Sequence, residues 1–180
     1  MIPAGLPCAT YLTNRQIIET SKFLGTLPST LGSMDRVDWI PVDILADIIV
    51  DLAGINVVAN EAKPQPTVRV YHAVNPKDIK WDTLLPTVVG HLGSSTRVVT
   101  WDEWVDALRE SQVNASLADL KHNPGLKLLE FFESLRVDEK QPTRELVLDV
   151  ELSAAKSKTL ASLEPVNADW FDLWLRQWGY

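Results

Sequence analysis

The stretch Trp39-Ile40-Pro41-Val42-Asp43, with the apolar helix it opens, limits the fold of this chain more than any other. Pro41 has no N–H for a strand ladder, so an extended run from Val37 to Ile40 must stop there. Asp43 falls at the start of the helical pattern that follows, where unpaired N–H groups and the helix dipole favour a carboxylate. Leu45, Ile48, Ile49 and Leu52 then recur at i, i+3, i+4 and i+7 and predict one buried face. Asp43, Asp47 and Asp51 form a separate polar stripe.

Upstream, Thr13 and Gln16 have capping-box spacing, and Ile17, Ser21, Leu24 and Leu27 predict one helical face running to Pro28. Pro28 to Arg36 reads as a loop. Downstream, Asn60 to Thr67 is a polar linker with two prolines. Val68 to Val74 is the clearest predicted strand, with Val68, Val70, His72 and Val74 alternating with Arg69, Tyr71 and Ala73. Asn75-Pro76 ends it. The pattern from Trp81 to Leu92 predicts a helix stopped by Gly93, and Arg97 to Val99 a short strand. Thr100 and Glu103 form a second capping box over Trp101, Trp104, Val105 and Leu108.

In the last third, Asn123 reads as a cap and Pro124 as the first position of a helix that buries Leu128, Phe131, Phe132 and Leu135. Arg136 to Arg144 reads as a charged loop, Leu146, Leu148 and Val150 as a short extended piece, and Ser153 to Leu163 as a helix. Trp170, Trp174 and Trp178 share one face of a final helix closed by Gly179. The order predicts a small helix-rich domain with a few short strands, of α/β (α+β-like) class, with residues 1–180 as one unit.

Composition narrows the function classes. A net charge of −7 without any basic run argues against nucleic acid and anionic membrane surfaces as partners. No apolar stretch approaches the roughly 18 residues that span a bilayer, and Met1 to Leu12 lacks a basic start, so a cytoplasmic location is expected. Cys8 is the single cysteine, which excludes an internal disulfide and a cysteine-based zinc site. His72, His91 and His122 have no metal-ligand spacing, so no metal is expected. The seven tryptophans read chiefly as core, with a subset available to line a pocket.

The ordered landmarks Trp39-Ile-Pro-Val-Asp43, Val70-Tyr-His-Ala-Val-Asn-Pro76, Trp81, Leu84-Leu85-Pro86, Glu103-Trp104, and Asn123-Pro124 followed by Lys127-Leu128 resemble the C-terminal part of thioester reductase domains. Those are extended short-chain dehydrogenases that end nonribosomal-peptide-synthetase-like and polyketide assembly lines, especially in fungi. The resemblance runs from about Thr13 to Trp178. It implies a two-part parent fold: a nucleotide-binding Rossmann half with a glycine loop and a Tyr-x-x-x-Lys pair, and a C-terminal half that shapes the substrate pocket. Only features of the second half occur in this sequence. It holds no G-x-x-G-x-x-G, and Tyr11 and Tyr71 are followed four residues on by Arg15 and Asn75. No cofactor is therefore expected on this chain by itself, and a truncated, non-redox relative of the reductases is the expectation.

In the parent fold the Val68–Val74 strand would open on the substrate cleft, which makes His72 and Tyr71 the candidate catalytic proton donors or acceptors. Trp39, Asp43, Asn75 and Trp81 are the candidate substrate-binding residues. The expected activity is binding of a small polyketide- or peptide-type intermediate, free or carrier-tethered, with a cofactor-independent cyclisation, isomerisation or dehydration. The alternatives are a non-catalytic partner of a carrier protein or a Rossmann half, and an inactive piece of a reductase. A homodimer or a heteromeric partner is expected, since a lost domain contact leaves apolar surface.

Overall fold

Gly25 sets the first boundary. In the computed structural model, which describes residues 11–54, 69–113, 115–137 and 147–180, helix α1 spans Tyr11–Leu24 and ends at Gly25 with φ +67. That left-handed turn suits glycine, because it has no β-carbon to clash. Leu27 is therefore not the last turn of a helix. It is the buried centre of strand β1, Thr26–Pro28. Thr13 lies inside α1, so the helix opens ahead of the capping box predicted there. The Asn60–Thr67 linker lies outside the described residues, as does most of the Arg136–Arg144 loop.

Strand β2 is Arg36–Val37, and helix α2 is Val42–Ala53. The ladder ends before Asp38, sooner than the proline alone requires. Pro41 turns the chain into α2 and its carbonyl accepts the Leu45 N–H at 2.8 Å. Gly54, at φ +71, closes the helix by donating to the Asp51 carbonyl. The buried stripe differs from the prediction at one place. Ile48 is fully buried, with Ile44, Leu45 and Leu52 packed beside it, but Ile49 is 55% exposed. One step further round a 3.6-residue helix than Ile48, Ile49 falls outside the small cluster that covers α2.

Strand β3, Ile79–Lys80, pairs antiparallel with β2. A tight turn, Trp81–Leu84, then leads into helix α3, Leu85–Leu92, so the single helix predicted from Trp81 starts as a 3₁₀ turn. Gly93 stops it as expected. Strand β4, Arg97–Val99, lies parallel to β1, with Leu27 opposite Val98. Helix α4, Trp101–Val113, follows at once. Its capping box is complete: Glu103 Oε2 accepts the Thr100 N–H at 2.8 Å, and Thr100 Oγ1 accepts the Glu103 N–H.

After α5, Leu117–His122, the Asn123 side chain does not cap the next turn. Its amide donates to Ser111 Oγ at 3.2 Å instead, tying the Pro124–Leu128 turn to α4. Gly125 lies under α1, its N–H donating to Thr20 Oγ1 at 2.9 Å. A β-carbon there would come within 2.4 Å of that oxygen. Helix α6, Leu129–Ser134, buries Leu129 and Phe132, while Phe131 is 38% exposed, contrary to expectation. Residues 147–150 form no strand. The predicted helix from Ser153 to Leu163 is two: α7, Glu151–Lys156, and α8, Lys158–Ala161, broken at Ser157. Helix α9, Ala168–Trp178, ends at Gly179 as predicted.

Six of the seven tryptophans are buried, and Trp170 is half-buried. Trp81 and Trp104 find partners for their N–H groups in the Pro28 carbonyl, 2.9 Å, and Ser21 Oγ, 3.0 Å. The main core joins α1, β1, α4, α6 and α9, and a smaller one, around Ile40, Ile48, Leu160 and Leu163, holds α2 against α8. The fold is thus helix-rich with two two-stranded sheets among the described residues.

Two carboxylates fasten these helices. His91 Nε2 donates to Asp172 Oδ1 at 2.7 Å and Arg176 lies 2.8 Å from the other oxygen, holding the Asp172 carboxyl below its ordinary range. The hydroxyls of Ser157 and Thr159 do the same to Asp51 and join α8 to α2. A depressed folded-state pKa contributes stability above the unfolded value, near about 4, and that stability is lost as pH falls through the folded value. Denaturant melts between pH 7 and pH 3 should therefore show a steeper loss below about pH 4 in the parent than in Asp172→Asn or Asp51→Asn. Parallel pH profiles would refute both locks.

Candidate functional site

The residues expected to carry chemistry fall into separate sets of contacts, and none lies on a strand. Asn75 bonds to the Trp39 segment, Trp39 and Trp81 meet at Phe171, and His72 meets the Asp149 carbonyl. Residues 69–74 form no ladder, so the clearest strand of the sequence pattern is absent as a strand. Val70, expected on the buried face, is 68% exposed, and Ala73 packs on the smaller core instead. Alternation supplies the two faces of a strand, but pairing needs a neighbour, and the described residues put none beside this segment.

His72 and Tyr71 are half-exposed on this segment. His72 Nδ1 lies 2.8 Å from the Asp149 carbonyl oxygen, which accepts only from a protonated nitrogen. In the neutral ring this leaves Nε2 as the acceptor. Asn75 is fully buried. Its N–H donates to the Asp38 carbonyl at 2.9 Å and its side-chain amide to the Glu164 carbonyl at 2.9 Å, while Oδ1 accepts the Lys77 N–H at 3.0 Å. The Asn75 amide is directed into the fold, joining three chain segments. Trp39 and Trp81 are 5% and 1% exposed, and their rings meet Phe171 at 6.1 and 5.9 Å. Asp43 sits in the first turn of α2, half-buried.

Apolar side chains are exposed on both sides of the His72–Asp149 contact in sequence. Val70 precedes it, and Val147, 60% exposed, Leu148 and Leu152 flank the other partner. Sequence reasoning missed a second feature altogether. A cavity of about 340 Å³ opens where β1 and β4 end, lined by Ser29, Thr30, Asp35, Thr100, Trp101 and Asp102 among others. The signal for it was Gly25, which ends α1 early enough for Thr26–Pro28 to pair with Arg97–Val99. Among the described residues no group of three or more histidine, cysteine, aspartate or glutamate side chains is placed to hold a metal ion, and no helix is long and apolar enough to cross a membrane.

A parallel and an antiparallel strand pair among helices make this a small, helix-rich unit of α/β-like class. No protein-family model matches the chain. It is 31% identical over 167 residues to a carboxylic acid reductase of Neurospora crassa, covering 91% of this chain and 15% of that protein. It is 28% identical to an adenylate-forming reductase of Serpula lacrymans, with the same coverage. A non-reducing polyketide synthase of Stachybotrys chartarum is 31% identical over 163 residues, 90% of this chain and 6% of the synthase. The chain is therefore a relative of the thioester-reductase-type domains of fungal secondary-metabolite enzymes, as the order of its motifs implied. It spans 15% or less of the length of these relatives.

Proposed function

We propose that this chain is the substrate-side half of a thioester reductase and works docked to a nucleotide-binding half, on the same polypeptide or another. The observation that carries this reading is the segment 69–74, which has the side-chain alternation of a strand, leaves Val70 in solvent and pairs with no strand among the described residues. An extended run with free edges is completed by a strand from elsewhere, through main-chain hydrogen bonds and burial of alternate side chains. The exposed Val147, Leu148 and Leu152 add apolar area to the same contact. The reductive chemistry belongs to the nucleotide-binding half, and this half shapes the pocket for a polyketide- or peptide-type acyl intermediate.

The test is a chimera in which this chain replaces the matching segment of the Neurospora crassa carboxylic acid reductase. The chimera should reduce its acid substrate, and the isolated chain should bind NADPH no better than about 1 mM by calorimetry. Val70→Glu should leave the isolated chain's melting unchanged and abolish reduction by the chimera. Micromolar binding of NADPH to the isolated chain would overturn the assignment of roles. A fully active Val70→Glu chimera would overturn the docking surface.

A second reading, cofactor-independent proton transfer in a cyclisation, isomerisation or dehydration, is favoured by one observation. The Nδ1–H donated to Asp149 fixes His72 with Nε2 available as a base. His72→Gln and Tyr71→Phe, both folded and both fully active on an assembly-line product, would eliminate it.

A further inference from the structure

We propose that the cleft where α1, α5 and α9 end together binds a free aromatic α-amino acid. The cleft measures about 350 Å³, and Glu19, Lys22 and Phe23 of α1 line one side of it. His122 closes it from the end of α5, and Trp178 and Tyr180 from the end of α9. A volume of this size suits a small ligand. The cleft lies where α1 gives way to β1, whereas the cavity beside Ser29 and Thr100 lies past the other end of that strand. It shares no residue with the docking segment 69–74, so the two proposals stand or fall separately.

The rings give the cleft its apolar side. Phe23 is 42% exposed, and Trp178 and Tyr180 flank the turn that ends α9. Gly179 makes that turn at φ +90, and the Tyr180 N–H then donates to the Leu175 carbonyl at 3.0 Å. A β-carbon at Gly179 would meet no atom within 4 Å, so the space beside the turn is open. A flat ring entering there meets aromatic surface from α1 and from the end of α9.

The charges set the rest of the ligand. Glu19 and Lys22 stand three residues apart on α1, a spacing at which such side chains are neighbours. They do not pair. Glu19 Oε1 makes a long contact with Arg15 Nη2, 3.7 Å between half-exposed side chains. Lys22 Nζ lies over the Tyr180 ring, 5.3 Å from its centroid, and forms no ion pair among the described residues. Burial, and then the Glu19 carboxylate, hold the Tyr180 phenol protonated well above the ordinary tyrosine range, so it remains a donor. The carbonyls at the ends of α5 and α9 favour positive charge. A simple carboxylate would find Lys22 but face Glu19 and those carbonyls, and a simple amine would face Lys22. An amino acid answers both, with its ammonium toward Glu19 and its carboxylate toward Lys22.

L-Phenylalanine is the probe, titrated into the 180-residue chain labelled with nitrogen-15. The Gly179 and Tyr180 amide resonances should shift saturably, with a Kd of roughly 1 mM, while those of Thr30 and Trp101 stay in place. 3-Phenylpropionate, phenethylamine and L-alanine each lack one of the three features and should bind more weakly by about fivefold or more. Phe23→Ala and Lys22→Met, at exposed positions of α1, should keep the melting profile and weaken L-phenylalanine by a similar factor. Glu19→Gln should weaken L-phenylalanine and spare 3-phenylpropionate. Absence of a saturable shift, equal affinity for any of the three analogues, or unchanged affinity in either α1 variant would each overturn the proposal.

Discussion

Trp104→Ala is expected to lower stability by about 3–5 kcal/mol, the range for truncating a large buried aromatic ring. Trp104 is fully buried in the main core. Its ring stacks on Trp101 with centroids 5.3 Å apart and meets the edge of Phe132 at the same distance, and its N–H donates to Ser21 Oγ. Truncation would open a cavity between α1, α4 and α6 and leave a buried hydroxyl with less to do. The neighbourhood cannot collapse easily, because two other rings already fill their own space. Phe131→Ala is the matched control. At 38% exposure it should cost about 1 kcal/mol or less, although it sits beside Phe132 in sequence. Urea melts of the two variants decide it. A Trp104→Ala loss below about 2 kcal/mol would mean the core relaxes around the gap.

Elements governed by a few neighbouring residues were legible in the sequence. The Thr100–Glu103 box opens α4 as its spacing requires, Pro41 begins α2, and Gly93 and Gly179 end α3 and α9. Such signals act within one turn, so the residues that cause them are the residues that show them. Strands were less legible. Thr26–Pro28 looked like the tail of a helix because Leu27 continues the spacing of Ile17 and Leu24, while Gly25 breaks the backbone beneath it. Residues 69–74 show the reverse case: strand alternation is present and the partner is not. Pairing is a long-range condition, and alternation alone does not supply it.

The surroundings of the candidate site are illegible in the sequence for a related reason. Proton chemistry at His72 was read from a strand end, and that strand has no ladder to fix its end. The histidine is held instead by the Asp149 carbonyl, 77 residues away, which no local rule connects to it. The wall at β1 and β4 likewise draws Ser29 and Thr100 together through a parallel pairing between distant segments.

Asn75→Ala is expected to lower stability by about 2–4 kcal/mol, because it leaves the Glu164 carbonyl and the Lys77 N–H without their partner. The position before Pro76 holds the backbone extended, as the sequence implied, but it says nothing about where the side chain goes. The structure places that amide inside, where it joins the Asp38–Trp39 segment, its own loop and the Glu164 turn before α9. Asn75→Asp gives a sharper test. It keeps the shape and the acceptor for Lys77, but it faces the Glu164 carbonyl with an oxygen in place of a donor. Buried at that point, a carboxylate would meet a lone pair rather than a hydrogen, so the loss should equal or exceed that of alanine. A substrate-directing asparagine would behave differently, weakening ligand binding while the melt stayed within about 0.5 kcal/mol of the parent. Melts of both variants that remain in that narrow range would remove Asn75 from the scaffold and return it to the site.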